Sequence, residues 1–294
     1  MDGFFRPNRY YRPKNIREAT QLLSTFGERA RIIAGGTDLL VEEPSEIDSI
    51  IDLENLNLSF IRKNKEGIDI GATTTINLID SSPVFSMSPY HVLKEAAQEM
   101  ATPAIRNMGT IGGNICNASP AADLSVALMV LDTNLKISGF NGTRILPIGD
   151  FFKDVNKTSL IDDELLVALH IPLYSGSDVA SFLKLKHHQT SIDIAIVNVA
   201  VRLSFSEKIC EEARIALGAV AKTPIHIKKA ETILGGMEIN AALIENAAYL
   251  AAQESSPIDD VRASASYRKK MVAVLVKRAL ENCMKGRDEW LKST

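Results

Sequence analysis

Two glycine-rich segments contain the residues best suited to chemistry in this sequence. The first, RIIAGGTDLL, runs from Arg31 to Leu40, and the second, MGTIGGNICNASPAAD, runs from Met108 to Asp123. Backbone N–H groups in a glycine-rich turn can converge on an anion, and the missing Cβ lets a phosphate approach the main chain. One such segment could bind one phosphate. Two of them, on different lobes, could hold a pyrophosphate from both sides, as a dinucleotide cofactor requires.

Each segment taken alone is also explained as a tight turn, because Gly-Gly is a common turn signal. The asparagine, serine and threonine residues beside the glycines point beyond turn geometry, since their amides and hydroxyls suit ribityl or phosphate oxygens. Two interpretations therefore stay open at this point: a pair of structural turns, or a pair of cofactor-binding segments.

Other signatures of catalysis or nucleotide binding are missing from the sequence. It has no GxGxxG, no P-loop, no HExxH and no GxSxG. The pair His187-His188 lacks metal-ligand spacing, so a solvated or internally bonded pair is expected. Cys116 is expected to fill space beside the second segment, and a reactive thiol is the less favoured alternative. Lys184 and Lys186 share one face of a predicted strand, where exposure to solvent is expected.

The composition is that of a globular protein long enough for two domains or one large one. The chain has 294 residues, 46% hydrophobic and 23% charged, and a formal net charge of -3, which gives no reason to expect nucleic acid or an anionic membrane as partner. Three scattered cysteines argue against a disulfide framework and fit a cytoplasmic protein. The N-terminus lacks the apolar region of a secretory signal, and no apolar run is long enough for a membrane span.

The elements around the first segment predict a small α/β lobe. Asn15 and Glu18 form a capping-box pattern at the start of a helix, and Gly27 is placed to end it. Two apolar runs, 31–34 and 47–53, are predicted strands. A helix and strands in this order are typical of an α/β unit.

The elements around the second segment predict a lobe of hairpins and helices. Turn-like residues at 64–67 and at Asn141-Gly142 predict two hairpins. One helix is expected to begin at Pro89, and another to begin with Ser119 as N-cap and Pro120 as its first residue.

The organisation changes after PLYSGSD, residues 172–178, which is the best linker candidate. Strands are predicted at 182–186, 192–205 and 213–219, and helices at 225–234, 241–252 and 267–284. Strands followed by helices in one block are typical of an α+β domain.

Several phrases of the chain resemble, in the same order, those of one protein family. AGGTDLL and TIGGN resemble the two FAD loops of the FAD-binding medium subunits of the molybdenum hydroxylases, the xanthine dehydrogenase and carbon monoxide dehydrogenase family. RPNRYYRPKNIREATQLL resembles the N-terminal segment of that family. The later segments of the family resemble four further phrases of this chain: DELLVALHIP, IDIAIVNVAVRL, ARIALGAVAKTPI and YRKKMVAVLVKRAL. The resemblance therefore covers nearly the whole chain.

The resemblance implies an α+β fold with a two-lobed FAD-binding domain. That domain would span residues 1–175, with a small α/β lobe over about 1–57 and a mixed or antiparallel lobe over 58–175. Residues 178–290 would form the family's C-terminal domain, an antiparallel sheet with three helices. FAD would be bound noncovalently between the two lobes.

The resemblance also implies a set of cofactor contacts, none of them catalytic and none a metal ligand. Backbone amides of both glycine-rich segments would hold the pyrophosphate, and later positions would line or contact the flavin. The implied contacts are Ile32, Ile33, Ala34, Gly35, Gly36, Thr37, Asp38, Leu39, Met100, Thr110, Ile111, Gly112, Gly113, Asn114, Asp123, Leu166 and Lys184.

The implied function is electron transfer inside a complex. A large subunit would hold the molybdopterin cofactor, a small subunit would hold two [2Fe–2S] clusters, and FAD on this chain would pass the electrons to NAD or another acceptor. The phrase GGNICNASPAAD favours a xanthine dehydrogenase type. Alternatives are a nicotinate, carbon monoxide, aldehyde or aromatic-thioester oxidoreductase, or a non-catalytic partner subunit with a vestigial nucleotide site. Three scattered cysteines disfavour the thioester variant that carries an extra cluster, which needs four thiolates.

Overall fold

The architecture comes from a computed structural model that describes most of the chain. The described residues are 7–42, 44, 46–187 and 193–293. The sequence predictions made for residues 1–6, His188 and Ile192 lie outside them.

The first lobe is a three-stranded parallel sheet with one main helix. Its elements are β1 (Arg9–Tyr11), α1 (Ile16–Phe26), β2 (Ala30–Ile33), α2 (Leu39–Glu42) and β3 (Ser49–Asp52). The strand order is β1-β3-β2, with both neighbours of β3 parallel to it. The predicted cap is confirmed: Asn15 Oδ1 accepts the Glu18 N–H at 2.9 Å, and Gly27 ends α1 with a φ of 52°.

The second lobe is built on a five-stranded antiparallel sheet of order β4-β5-β10-β6-β7. Both predicted hairpins are present in this sheet, and the second one turns through Phe140 and Asn141. The elements are β4 (Ile61–Lys63), β5 (Gly67–Gly71), α3 (Ile76–Ser81), α4 (His91–Gln98), α5 (Pro103–Met108), α6 (Ile111–Asn117), α7 (Asp123–Val130), β6 (Asn134–Gly139), β7 (Gly142–Pro147), β8 (Phe152–Asp154), β9 (Lys157–Thr158) and β10 (Leu165–Pro172).

The C-terminal part is a second antiparallel sheet covered by helices, as predicted. The strand order is β11-β12-β13-β14, and β15 pairs with β13. The elements are β11 (Asp178–Leu185), β12 (Val197–Ser206), β13 (Ile209–Gly218), β14 (Ile225–His226), α8 (Lys228–Leu234), β15 (Met237–Glu238), α9 (Ala241–Glu254) and α10 (Ala265–Ser293). The chain as a whole is therefore α+β.

The helix α7 joins the second lobe to the C-terminal sheet. All eight of its residues are buried, and it packs against α4 on one side and against β12 and β13 on the other. A helix buried on every side must be enclosed on every side, which explains why it lies between α4 and the C-terminal sheet. The N-terminal end of α7 is thereby held where both units meet.

Several predicted element starts are wrong in position, and three of them change how a helix begins. The helix expected to begin at Pro89 begins at His91. The helix expected to be capped by Ser119 begins at Asp123, because Ser119 and Pro120 belong to a turn in which the Ala122 N–H donates to the Ser119 carbonyl. The segment expected to start a helix at Ile225 first forms the short strand β14, whose ladder with β13 takes its backbone groups.

Within the described chain, every helix is too short or too polar to cross a membrane.

Candidate functional site

One large cleft collects the residues that the sequence analysis singled out. It has a volume of about 1270 Å³ and is lined by both lobes and by the start of the C-terminal sheet. Sixteen of the seventeen implied cofactor contacts line it, all except Ile111, whose side chain is fully buried beneath the second segment. The segments 31–40 and 108–123, far apart in sequence, therefore face one space.

The first glycine-rich segment offers backbone N–H groups without acceptors. It leaves β2, turns through Gly36 with a φ of 68°, and enters the short helix α2. The carbonyls of Gly36 and Asp38 accept bonds from residues 40–42. The N–H groups of residues 35–39 have no acceptor within the part of the chain that the structure describes. Unpaired amides in a glycine-rich turn can form an anion-binding concavity.

The two glycine-rich segments are in direct contact at Gly35. A Cβ built on Gly35 would lie 2.1 Å from the Met108 carbonyl oxygen, so only glycine fits there. Gly109, on the other side of the contact, has Thr37 Oγ1 3.5 Å from its ideal Cβ position. The contact places the turn of the first segment directly beside the second segment.

The second segment differs from the expected loop, since most of it is the helix α6. Thr110 caps this helix by accepting the Gly113 N–H on its hydroxyl at 3.1 Å and the Asn114 N–H on its carbonyl at 3.0 Å. The Ile111 and Gly112 N–H groups donate to the carbonyls of residues 74 and 72. Four of the five amides that were expected to hold a pyrophosphate, all except that of Thr110, therefore already have acceptors inside the protein.

The second segment instead offers close approach and one unpaired side chain. Around an ideal Cβ on Gly113 the nearest heavy atom is Thr110 Oγ1 at 2.9 Å, and the space on the cleft side is open. A Cβ on Gly112 would lie 2.5 Å from the Ala72 carbonyl oxygen, so that glycine serves packing. The Asn114 Oδ1 atom is buried and makes no hydrogen bond to any described residue. An extended ligand with an anionic centre and polar ends fits these groups.

A buried ion pair lies at the end of the cleft nearest the C-terminal sheet. Lys184 Nζ is 2.7 Å from Asp123 Oδ2 and donates to the Glu99 carbonyl at 3.0 Å. Asn198 Nδ2 donates to Asp123 Oδ1 at 2.8 Å. Burial raises the pKa of Asp123, and the adjacent Lys184 ammonium opposes that rise. The site therefore holds a compensated charge in a dry environment.

The prediction that Lys184 and Lys186 are exposed to solvent is wrong. Only 3% of the Lys184 side chain is exposed, and Lys186 forms an ion pair with the Glu99 carboxylate. Both side chains lie on the predicted common face, but α4 and the residues after it cover that face. The alternation of a strand defines its faces and not what packs on them.

Met100 lies on a short loop that an arginine holds in shape. Arg106 Nη1 donates to the carbonyls of Met100 at 2.8 Å and Ala101 at 3.0 Å, and Ala101 has a φ of 44°. Leu166, on β10, is 97% buried and contributes an apolar wall. These residues give the cleft a fixed apolar end beside the ion pair.

Cys116 and Asp38 also line the cleft, and burial changes the acidity of both. Burial raises the pKa of Cys116 to about 12, so the thiol is protonated at neutral pH, in keeping with a space-filling role. Burial also raises the pKa of Asp38. Among the residues that the structure describes, no cluster of histidine, cysteine or carboxylate side chains could hold a metal ion.

Asn198 and Arg106 were missed by the sequence analysis. Asn198 had a detectable signal, since it is a polar residue inside the apolar run IVNVAV, where a buried strand was predicted. A buried amide in such a run needs a hydrogen-bond partner. Arg106 had no comparable signal, because arginine in a short polar helix is ordinarily a surface residue.

Family models match most of the chain in two parts. Residues 5–174 match the model described as the FAD binding domain in molybdopterin dehydrogenase. Residues 181–283 match the CO dehydrogenase flavoprotein C-terminal domain.

Curated relatives are similar over nearly the full length. The chain is 33% identical over 276 residues to the carbon monoxide dehydrogenase medium chain of Afipia carboxidovorans, covering 92% of this chain and 95% of that one. It is 30% identical over 280 residues to the putative xanthine dehydrogenase FAD-binding subunit of Escherichia coli (strain K12), covering 94% and 95%.

Among solved structures, the fold is similar to a chain of carbon monoxide dehydrogenase from Hydrogenophaga pseudoflava that lacks the Mo-pyranopterin moiety of the molybdenum cofactor. The TM-score is 0.91 with 31% sequence identity, and the match covers 96% of this chain and 98% of that chain.

Proposed function

Since this chain belongs to the FAD-binding flavoprotein subunits of the molybdenum hydroxylases, we propose that it transfers electrons from iron–sulfur clusters on a partner subunit to a separate acceptor. When bound, FAD supplies this chemistry, because a flavin can take up electrons one at a time and give up a pair. The protein binds the cofactor, orients it and keeps water from it. No acid–base residue of this chain needs a catalytic role.

The proposal places FAD in the 1270 Å³ cleft, with its pyrophosphate on the first glycine-rich segment. The observation that carries this placement is the set of N–H groups of residues 35–39, which follow β2 and have no acceptor among the described residues. In this proposal residues 1–175 form the FAD-binding domain, with lobes of about 1–57 and 58–175, and residues 178–290 form the C-terminal domain.

The remaining contacts follow from the two ends of the cleft. Gly113 lets the pyrophosphate approach the second segment, and the unpaired Asn114 Oδ1 accepts from a ligand hydroxyl or N–H group. Met100 and Leu166 enclose the flavin end, where Asp123 and Lys184 provide a hydrogen-bonding, charge-compensated wall. The cofactor is bound noncovalently, since neither segment contains a histidine and burial keeps the Cys116 thiol protonated.

The partners proposed for this chain are a large molybdopterin-binding subunit and a small subunit with [2Fe–2S] clusters. Three cysteines are too few for one [2Fe–2S] site of four thiolates, so the clusters must be on another chain. The cytoplasm remains the proposed location, as the three unpaired cysteines first suggested.

A xanthine dehydrogenase type with NAD as acceptor is the proposed reaction. The phrase GGNICNASPAAD supports a purine substrate. The relative from Afipia carboxidovorans supports a second candidate, a carbon monoxide dehydrogenase. Its identity to this chain is 33%, against 30% for the xanthine dehydrogenase subunit. The unpartnered amides disfavour a vestigial nucleotide site, in which such groups would have no ligand.

Purification of the complex from its source tests this proposal. We expect a larger and a smaller polypeptide to copurify with this chain, and anaerobic xanthine to bleach the flavin absorbance, which NAD then restores. Bleaching by carbon monoxide and not by xanthine would replace the first candidate with the second. A chain that purifies alone, or whose flavin no substrate of this class reduces, would contradict the electron-transfer role.

A further inference from the structure

We propose that Asn198 is a positioning residue of the flavin site, which holds the Asp123 carboxylate in a single orientation toward the cofactor. The inference rests on the proposed function, since it concerns the same cleft. It adds a residue of the C-terminal sheet to the determinants of cofactor affinity and reduction potential.

The geometry of the carboxylate carries this proposal. Lys184 and Asn198 are directly opposite each other in the ladder between β11 and β12. From these paired positions, Lys184 Nζ reaches Asp123 Oδ2 at 2.7 Å and Asn198 Nδ2 reaches Asp123 Oδ1 at 2.8 Å. One donor on each oxygen prevents rotation of the carboxylate. Because Asp123 is the first residue of α7, this contact also joins the helix to the C-terminal sheet.

Burial makes the second donor necessary. Asn198 is fully buried, Asp123 is 4% exposed and the Lys184 side chain is 3% exposed, so water has little access to either carboxylate oxygen. A buried carboxylate is tolerated when it is both paired and hydrogen-bonded. An amide supplies the missing hydrogen bond without a second positive charge, which leaves the charge of the pair balanced.

The surrounding backbone leaves room for this amide. A Cβ on Gly218 would lie 2.1 Å from Asn198 Oδ1, so only a glycine at this position of β13 accommodates the Asn198 amide. Asn198 Nδ2 also lies 3.4 Å from the Ala121 carbonyl, and the Ala219 N–H fixes the Pro120 carbonyl at 2.7 Å. Two strands of the sheet and the turn before α7 therefore form one enclosure around the contact.

The carbonyl oxygen of the Asn198 amide indicates that this side chain acts through its N–H group. Asn198 Oδ1 is buried, and no donor to it exists among the described residues. An unsatisfied buried oxygen costs stability, so an apolar side chain of the same size would be favoured if packing alone mattered. The amide is therefore explained by its N–H group, which is the group that reaches Asp123.

The test uses the full-length chain and the variant Asn198→Leu, which keeps the branching at Cγ and removes the donor. Asp123 would then be held by Lys184 alone, and its charge would be less compensated next to the flavin. We expect FAD to bind about tenfold more weakly, because a hydrogen bond to a charged group is lost. We also expect a lower midpoint potential of the bound flavin.

The matched control is Asn282→Leu, which removes an asparagine contact to Ser181 of the same sheet, at a position that does not line the cleft. It should leave FAD affinity and potential unchanged. Wild-type affinity and potential in Asn198→Leu would overturn the inference alone, whereas a wild-type chain that binds no FAD would overturn the proposed function as well. If the leucine variant does not fold, Asn198→Val also removes the donor and has a smaller side chain that suits a strand. Wild-type affinity and potential in that variant would equally overturn the inference.

Discussion

At the scale of single residues, Gly113 and Lys184 shape the cleft in opposite ways. Gly113 leaves space that a ligand can enter, because Thr110 Oγ1 is the only described heavy atom within 4 Å of its ideal Cβ position apart from its chain neighbours and the backbone of α6. Lys184 does the opposite and fills buried space with a charge that Asp123 balances. A change at the first should affect ligand binding, and a change at the second should affect folding as well.

Gly113→Val places two methyl groups where the pyrophosphate is proposed to approach. We expect FAD binding to weaken roughly tenfold to a hundredfold, since overpacking costs about 1–3 kcal/mol. Titration of the apo chain with FAD measures this. The control is Gly149→Val, whose nearest neighbour is His226 Cδ2 at 4.0 Å and which does not line the cleft. Equal affinity of the two variants would show that the pyrophosphate does not pass Gly113.

Lys184→Met removes the charge and keeps most of the side-chain volume. Since the Asp123 carboxylate would be left buried without its counter-ion, we expect the free energy of unfolding to fall by about 3–5 kcal/mol. Urea unfolding of the apo chain gives this quantity. Lys222→Met is the control, because that lysine is 79% exposed and its ion pair with Asp154 is at the surface. A loss no larger than in the control would mean that the pair contributes nothing to folding.

At the scale of elements, the sequence predicted the framework and missed part of the cleft. Strand, turn and strand around Gly36, both hairpins, and sheet before helices at the C-terminus are local patterns, and all are present. The helix α6 was missed because two glycines disfavour a helix by about 1 kcal/mol each relative to alanine. Burial of Ile111 and Ile115 on one face, and the cap from Thr110, overcome that cost.

The contacts of the cleft could not be predicted from local patterns, because they join distant parts of the chain. The Lys184 and Asp123 pair spans 61 positions, and the Asn198 contact spans 75. Their alignment depends on α7 packing between α4 and the C-terminal sheet. The contacts implied by the family resemblance nevertheless agree closely with the residues that line the cleft. The resemblance rests on ordered phrases of a whole family, and those phrases reflect its long-range contacts indirectly.

Asp260 accepts a hydrogen bond from Arg268 in the first turns of α10, and its charge leads to a prediction about how stability depends on pH. Burial raises the pKa of its carboxyl, but hydrogen bonds from Arg262, Ala263 and Arg268 outweigh this and hold the pKa well below its usual range. A carboxyl with a lowered pKa in the folded state stabilises the fold above its unfolded pKa of about 3.9, and this contribution is lost as pH falls below that value.

Asp260→Asn should therefore be less stable than the wild type at pH 7, and the difference should shrink below about pH 4. Urea unfolding of both proteins across this range measures it. Asp150→Asn, at an exposed position, is the control and should follow the wild type at every pH. A difference that stays constant from pH 7 to pH 3 would contradict the assignment of the stabilisation to the Asp260 charge.

At the scale of the whole molecule, the cleft proposed to hold the cofactor joins three units of the described chain. The cleft takes its walls from both lobes and from the C-terminal sheet, so it forms only when all three units are folded together. The sequence and the two family models account for a flavin and not for iron or molybdenum. Its activity should therefore depend on partners, while its flavin binding should not.

The most direct test of the central claim is the cofactor content of the isolated full-length chain. After expression alone and incubation with FAD, denaturation should release about one FAD per chain into the supernatant, with no stoichiometric iron or molybdenum, and the folded chain should not hydroxylate xanthine. A chain that stays colourless, flavin that stays on the precipitated protein, or substrate turnover by the lone polypeptide would contradict the account.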